Sequence, residues 1–255
     1  GAFDRLLAFD PDFCESAAEC GLRSFQIMAG AFDRKEVKSR LLSYEGPFGV
    51  GYAVATFEVT GDNAERDFGR RYRQAQEQKL QAMRDAEDSY VRLARFSLEH
   101  AVRSGERAPL PQDTPQELLT RRAGAFVSLH KDGRLRGCIG TILPTENTLA
   151  QEIMQNAISA AERDPRFDPV TPEELQQLCI SVDVLSQPEQ ITSPEQLDVR
   201  RYGVIVQSGA KRGLLLPDLP GVDTIAQQIA IAREKGGIRE EDEVTLWRFE
   251  VTRHH

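Results

Sequence analysis

Between residues 135 and 140 the chain reads Leu135-Arg136-Gly137-Cys138-Ile139-Gly140, which puts a nucleophile, a permanent cation and a pair of glycines side by side. The thiolate is the nucleophilic form of cysteine, and a nearby guanidinium favours it. Glycine inside a strand costs roughly 1 kcal/mol and is kept where a bulge, a ligand or another backbone comes close. Strand alternation places Arg136, Cys138 and Gly140 on one face and Leu135, Gly137 and Ile139 on the other. Cys138 is therefore the candidate catalytic group, and Leu135, Arg136, Gly137, Ile139 and Gly140 are candidate substrate-binding residues. The competing reading is a small buried cysteine with Arg136 in a structural ion pair, since free cysteine is among the most buried residue types. A second cluster runs from Ala160 to Pro169. Its alanines allow close helix packing and its prolines fix a corner, while Arg166 offers a planar five-donor group suited to a carboxylate or phosphate and joins the substrate-binding candidates. His130 lies across the hairpin from Cys138, but the sequence leaves open which side it faces.

The elements that must position these groups can be read from local signals. Asp132-Gly133 tolerates the positive φ angles of a tight turn, so Ala123–His130 and Arg134–Ile142 are expected to pair antiparallel. Ser24–Leu42 reads as a helix broken around Gly30, Val50–Val59 as a strand, and Gln78–Ser104 as one helix with Val91, Ala94 and Leu98 on its apolar face. Thr148 with Gln151, Thr171 with Glu174 and Thr224 with Gln227 have capping-box spacing and mark three helix starts. Leu178–Leu185, Gly203–Gln207, Gly213–Leu216 and Val244–Val251 have strand composition, and Gly236-Gly237 ends the Thr224 helix. Residues 60–81 are charged and poor in large aliphatics, as a solvated linker or an exposed helix would be. The expected division is 1–59, a linker at 60–81, and a domain at 82–255. That domain is α+β, with a mostly antiparallel sheet flanked by helices.

Composition excludes several classes. The 255 residues carry 32 Lys+Arg against 40 Asp+Glu, a net charge of −8 that disfavours bulk nucleic-acid binding even with the local Arg70-Arg71-Tyr72-Arg73 cluster. No run approaches the roughly 18 apolar residues of a membrane helix. Cys14, Cys20, Cys138 and Cys179 are scattered and form no CxxC pair, which points to reduced thiols and a cytoplasmic location. The chain opens on Gly1 and runs at once into Phe3, Leu6, Leu7 and Phe9, as a piece of a longer protein would.

In order and spacing, Gly124–Leu129, Leu135–Thr141, Ala160-Ala161 with Asp164–Phe167, and Leu178–Ser186 resemble the AMMECR-one family, and the resemblance covers about residues 85–252. The segments from Gly213 to Leu219, Lys235 to Ile238 and Leu246 to Val251 are similar to its prokaryotic branch, which includes proteins of the AmmeMemoRadiSam system. The resemblance implies two subdomains with a cleft. Glu19-Cys20-Gly21-Leu22, Leu41–Tyr44 and Gly51–Ala53 resemble the C-terminal end of the α/β Memo/LigB fold of class III extradiol dioxygenases. Such enzymes hold Fe(II) with two histidines and a carboxylate, and Memo proteins offer a cysteine in the carboxylate's place. Cys20 resembles that position, with Glu19 beside it as a second metal-ligand candidate. Residues 1–59 contain no histidine, so Fe(II) is expected in a full-length parent and no cofactor in this chain alone.

These resemblances imply the C-terminal part of an iron-dependent, ring-cleaving dioxygenase-type oxidoreductase. Its AMMECR-one domain would bind or deliver a small-molecule substrate near Arg136, Cys138 and Arg166, with a radical-SAM protein of the same system as a partner. Two alternatives stand beside it: a Cys138-dependent enzyme in its own right, and a protein or nucleic-acid interaction module with an exposed apolar patch.

Overall fold

The chain divides between Ala82 and Met83 into two units, and the computed structural model describes Leu6, Cys14, residues 21–46 and residues 49–255. In the first unit α1 (Leu22–Ala31) gives way to a turn in which Arg34 takes φ 57°, and the chain enters β1 (Lys35–Glu45). β1 pairs antiparallel with β2 (Tyr52–Asp62), setting Val37 opposite Val59 and Tyr44 opposite Ala53. The helix expected over Ser24–Leu42 is therefore a strand from Lys35 onward, because cross-strand pairing overrides local propensity. Residues 60–81 hold the end of β2 and most of α2 (Phe68–Asp85), an exposed helix. Asp33 Oδ1 accepts the Phe68 N–H at 2.6 Å, and buried Phe68 packs with Ala29 and Val37.

In the second unit the side chain of Asp88 accepts the N–H groups of Tyr90 and Val91 and starts α3 (Ser89–Ser104). The single helix expected over Gln78–Ser104 is thus two helices, interrupted where buried Glu87 pairs with Arg95 and Asp88 caps the second. After α4 (Gln116–Thr120) come β3 (Ala125–Lys131), β4 (Arg134–Gly140), α5 (Leu149–Glu162) and β5 (Leu178–Leu185). Short β6 (Glu189–Ile191), β7 (Gly203–Ser208), β8 (Lys211–Leu215), α6 (Ile225–Lys235), β9 (Thr245–Phe249) and β10 (Val251–His254) follow. The strands form two four-stranded antiparallel sheets, ordered β10-β5-β3-β4 and β6-β9-β7-β8. The strand expected over Val244–Val251 breaks at Glu250: its first part belongs to the second sheet and its continuation crosses to the first.

Two of the three capping-box signals start α-helices, with Thr148 and Thr224 accepting from Gln151 N and Gln227 N. The third does not. After Thr171 the chain makes a turn and a 3₁₀ segment (Leu175–Gln177), then enters β5, because Glu174 is engaged by Lys131 and Arg136 from the hairpin. Helices α3 and α5 cover one face of the first sheet, where Val91, Leu98, Val127, Leu129, Ile153, Ala157 and Val182 form the main core. Helix α6 covers the second sheet over Val204, Val206, Leu215 and Ile238.

Candidate functional site

The β3–β4 hairpin turns at Asp132 (φ 52°) and Gly133 (φ 73°), a pair of left-handed residues as the Asp-Gly dipeptide requires. The register sets Ser128 opposite Cys138 and Phe126 opposite Gly140, but Leu129 opposes Gly137 while His130 opposes Leu135. Arg136 is the extra residue of a bulge, so strict alternation fails there and Arg136 does not share a simple face with Cys138. The glycines answer to packing. A Cβ on Gly137 would lie 2.2 Å from the backbone oxygen of Ala160 in α5, and one on Gly140 would lie 2.2 Å from Cγ of Phe126. Ile139 packs against the main core, and Leu135 is exposed.

All three guanidinium nitrogens of Arg136 are engaged. Nε and Nη2 donate to the Glu174 carboxylate at 3.0 and 2.9 Å, and Nη1 and Nη2 donate to the carbonyls of Asp168 and Pro169. Arg136 thus fastens the hairpin to the 164–174 loop. Arg166 donates from Nε and Nη2 to the buried Asp164 carboxylate at 2.9 and 2.7 Å, and from Nη2 to the Cys138 carbonyl at 3.2 Å. The Cys138 N–H in turn donates to Asp164 at 2.8 Å. Arg136 and Arg166 therefore anchor a loop along the edge of β4 instead of converging with Cys138 on a hollow. Two cavities, about 980 and 200 Å³, lie elsewhere, along α6 and beside α5.

The Cys138 side chain faces away from the helices, on the outer side of the first sheet. There the Ser128 hydroxyl donates to Cys138 Sγ at 3.2 Å, and Ser181 of β5 stands opposite Ser128 on its other flank. Cys138, Ser128 and Ser181 form a half-buried polar row across three strands, while the intervening Val127 and Val182 are buried toward the helices. The next row sets His130 opposite Cys179. On β10, Arg253 pairs side-on with buried Asp183, at 2.7 and 3.0 Å. Burial, and then the charge of Arg253, push the His130 pKa below its ordinary value, which favours the neutral imidazole. His130 lies two residues along β3 from Ser128, the partner of Cys138, and so faces the same side of the sheet. Ser128, Ser181 and Arg253 escaped the sequence reading, which named Cys179 only as a scattered thiol and left the side of His130 open. The alternation of Phe126, Ser128 and His130 with buried Val127 and Leu129 was a visible signal, but facing residues on β5 and β10 depend on long-range register.

The metal-ligand candidates Glu19 and Cys20 lie outside the described residues. Among the described residues no group of three or more His, Cys, Asp or Glu side chains could hold a metal ion, and no helix is long and apolar enough to cross a membrane.

Comparison with known proteins follows the same division of the chain. A Clostridium acetobutylicum protein, CA_C1420, is 41% identical over all 255 residues, which cover 54% of that protein, so the chain spans about half that relative's length. A Thermotoga maritima protein is 52% identical over 170 residues, covering 66% of this chain and 98% of its own. The crystal structure of Pyrococcus horikoshii protein PH0010 is similar with a TM-score of 0.60 and 34% identity, over 64% of this chain and 88% of that one. A family model described as AMMECR1 matches residues 91–254, through α3, the β3–β4 hairpin and both sheets, and the chain belongs to the AMMECR1 family.

Proposed function

We propose that the AMMECR1 domain binds a small polar molecule on the outer face of its first sheet, against the row Cys138, Ser128 and Ser181 with His130 beside it. The observation that carries this reading is the half-buried thiol, hydroxyl, hydroxyl row on a face that the helices leave uncovered. A row of this kind supplies both donors and acceptors at fixed spacing, which suits a polar ligand better than an apolar one. The LRGCIG residues contribute in two ways: Cys138 touches the ligand, while Arg136, Gly137, Ile139, Gly140 and Arg166 hold the strand that presents it.

The test is alkylation of Cys138 by iodoacetamide, followed by peptide mapping, with thermal-shift screening of small carboxylic, amino and phosphorylated acids. Cys138 is expected to react in the native protein, and a compound that raises the melting temperature is expected to slow that reaction. Native protein whose Cys138 resists alkylation, or alkylated protein that keeps full ligand binding, would overturn the reading. A second reading, thiol chemistry by Cys138 itself, is favoured by the His130 imidazole on the same face, whose pKa is pushed down by burial. Conversion of a bound compound that stops on Cys138→Ser and slows on His130→Gln would distinguish it from binding alone.

In the longer context the same domain would deliver its ligand to a Memo/LigB-like, Fe(II)-dependent neighbour and a radical-SAM partner. Support for this comes from the resemblance of residues 19–22, 41–44 and 51–53 and from the greater length of the Clostridium relative. Among the described residues no cluster of His, Cys, Asp or Glu offers a donor set for iron.

A further inference from the structure

The cavity of about 980 Å³ belongs to the second sheet's helix and shares no residue with the Cys138 row. It is a trough running along α6, with Ile225 and Ile229 one turn apart on one wall and Ile238 on the other. Beside that wall, Ala226 and Ala230 form a parallel stripe of small, exposed side chains. A four-residue repeat of small beside large side chains presents the groove into which the ridge of a second helix packs at close range. Its charge is lopsided. Glu195, Glu234 and Glu240 line it, against Arg233 as the one cation among the lining residues, and Arg233 donates inward to the carbonyls of Arg239, Glu240 and Asp242. Three carboxylates against one guanidinium leave a net charge of about −2 around an apolar floor. An enclosed site would suit a small molecule; exposure of Ala226, Ala230 and Glu234 along the helix leaves this one open lengthwise.

We infer that the α6 trough is a docking site for a basic amphipathic helix of a partner protein, whose apolar ridge lies along Ile225, Ile229 and Ile238 and whose lysines or arginines meet Glu195, Glu234 and Glu240. The inference is independent of the small-molecule reading. It is tested on the full chain by fluorescence anisotropy with a labelled helical peptide of about 15 residues, leucine on one face and lysine on the other, against a counterpart with every lysine replaced by glutamate. The lysine peptide is expected to bind saturably, and to weaken about tenfold when salt rises from about 50 to about 500 mM. Ala230→Arg, at an exposed position, fills the stripe and is expected to weaken binding about tenfold, and the double variant Glu234→Lys, Glu240→Lys is expected to do the same. Circular dichroism of each variant establishes that α6 and the fold are retained. Equal affinity for the glutamate peptide, or unchanged affinity in either folded variant, overturns the assignment. Saturable binding of octylammonium with no binding of the peptide would give the trough to a small cationic amphiphile and would overturn it equally.

Discussion

Asp164 and Cys138 meet along the free edge of β4 as residues of adjacent strands would: the Cys138 N–H donates to the Asp164 carboxylate at 2.8 Å, and Arg166, held by that carboxylate, donates to the Cys138 carbonyl. A side-chain pair thereby satisfies two backbone groups that an edge strand leaves open and keeps that edge from pairing with another chain.

Removing the carboxylate should therefore be expensive. Asp164→Ala strands the Cys138 N–H and releases Arg166, for an expected loss of about 2–4 kcal/mol in urea denaturation at pH 7. The Arg166 guanidinium, opposed by burial and helped by the Cys138 N–H, holds the Asp164 carboxyl well below its ordinary 3.8. The folded value is the lower one, so the stabilisation is present above the ordinary value and fades as acid protonates the native carboxylate. A denaturation midpoint for the variant within error of the parent's would refute this role.

The Arg136–Glu174 pair makes a prediction with its own pH window. The Arg136 guanidinium holds the Glu174 carboxyl at about 2 against an ordinary 4.5, with burial opposing and Thr171 N–H and Lys131 assisting. Its contribution is complete above pH 4.5 and is lost as pH falls toward 2. Glu174→Gln should cost about 1–2 kcal/mol at pH 7, allowing for the water that still reaches the loop, and the gap between parent and variant should close on acidification. A gap that stays constant down to pH 2.5 would remove the pair as its cause.

What could be read in the sequence was whatever a few neighbouring residues decide. Asp132-Gly133 fixes its own turn, Thr148 and Thr224 cap their own helices, and Leu178–Leu185 is a strand with the expected limits. The errors arose where a distant partner decides. Lys35–Leu42 becomes a strand because β2 is there to pair with it, and Thr171 starts no α-helix because Glu174 is taken by the hairpin. The Arg136–Cys138 relationship failed for the same reason, since a one-residue bulge is set by the register of β3 and β4 and has no local signature. The polar row was half legible: Ser128 and Cys138 lie on one hairpin, whereas Ser181 joins them through a pairing across more than fifty residues of chain.

Gly137 is expected to tolerate no side chain, for a reason unrelated to ligands. A Cβ there would sit 2.2 Å from the Ala160 oxygen, which belongs to the backbone of α5 and cannot rotate away. Gly137→Ala must push the helix from the sheet and should cost about 2–3 kcal/mol, with loss of cooperativity if the helix detaches. Gly133, also on the hairpin, has open space around it but a φ of 73°, so Gly133→Ala should cost about 1 kcal/mol through backbone strain alone. Equal effects at the two positions would contradict the packing argument.

Glu152 offers the sharpest test of how the loop after β4 is held. Its carboxylate is fully buried and accepts four hydrogen bonds: from the Thr141 and Thr145 hydroxyls at 2.6 and 2.9 Å, and from the Thr145 and Glu146 N–H groups at 2.7 and 2.8 Å. Burial by itself would raise its pKa, but the four donors outweigh it and the net direction is down. Glu152→Gln preserves volume and shape, so cavity formation is not in question. It replaces one acceptor oxygen with an NH₂ that faces donors, leaving at least one backbone or hydroxyl donor without a partner, for an expected loss of about 2–3 kcal/mol at pH 7. Because the folded carboxyl has the lower pKa, the parent should lose stability on acidification below 4.5 while the variant loses less. Amide exchange at Thr145 and Glu146 should rise ahead of global unfolding in Glu152→Ala, which releases both N–H groups, and less in Glu152→Gln, whose amide oxygen can still accept them while its NH₂ turns to the two hydroxyls. Unchanged protection at both amides would show that another contact holds the loop.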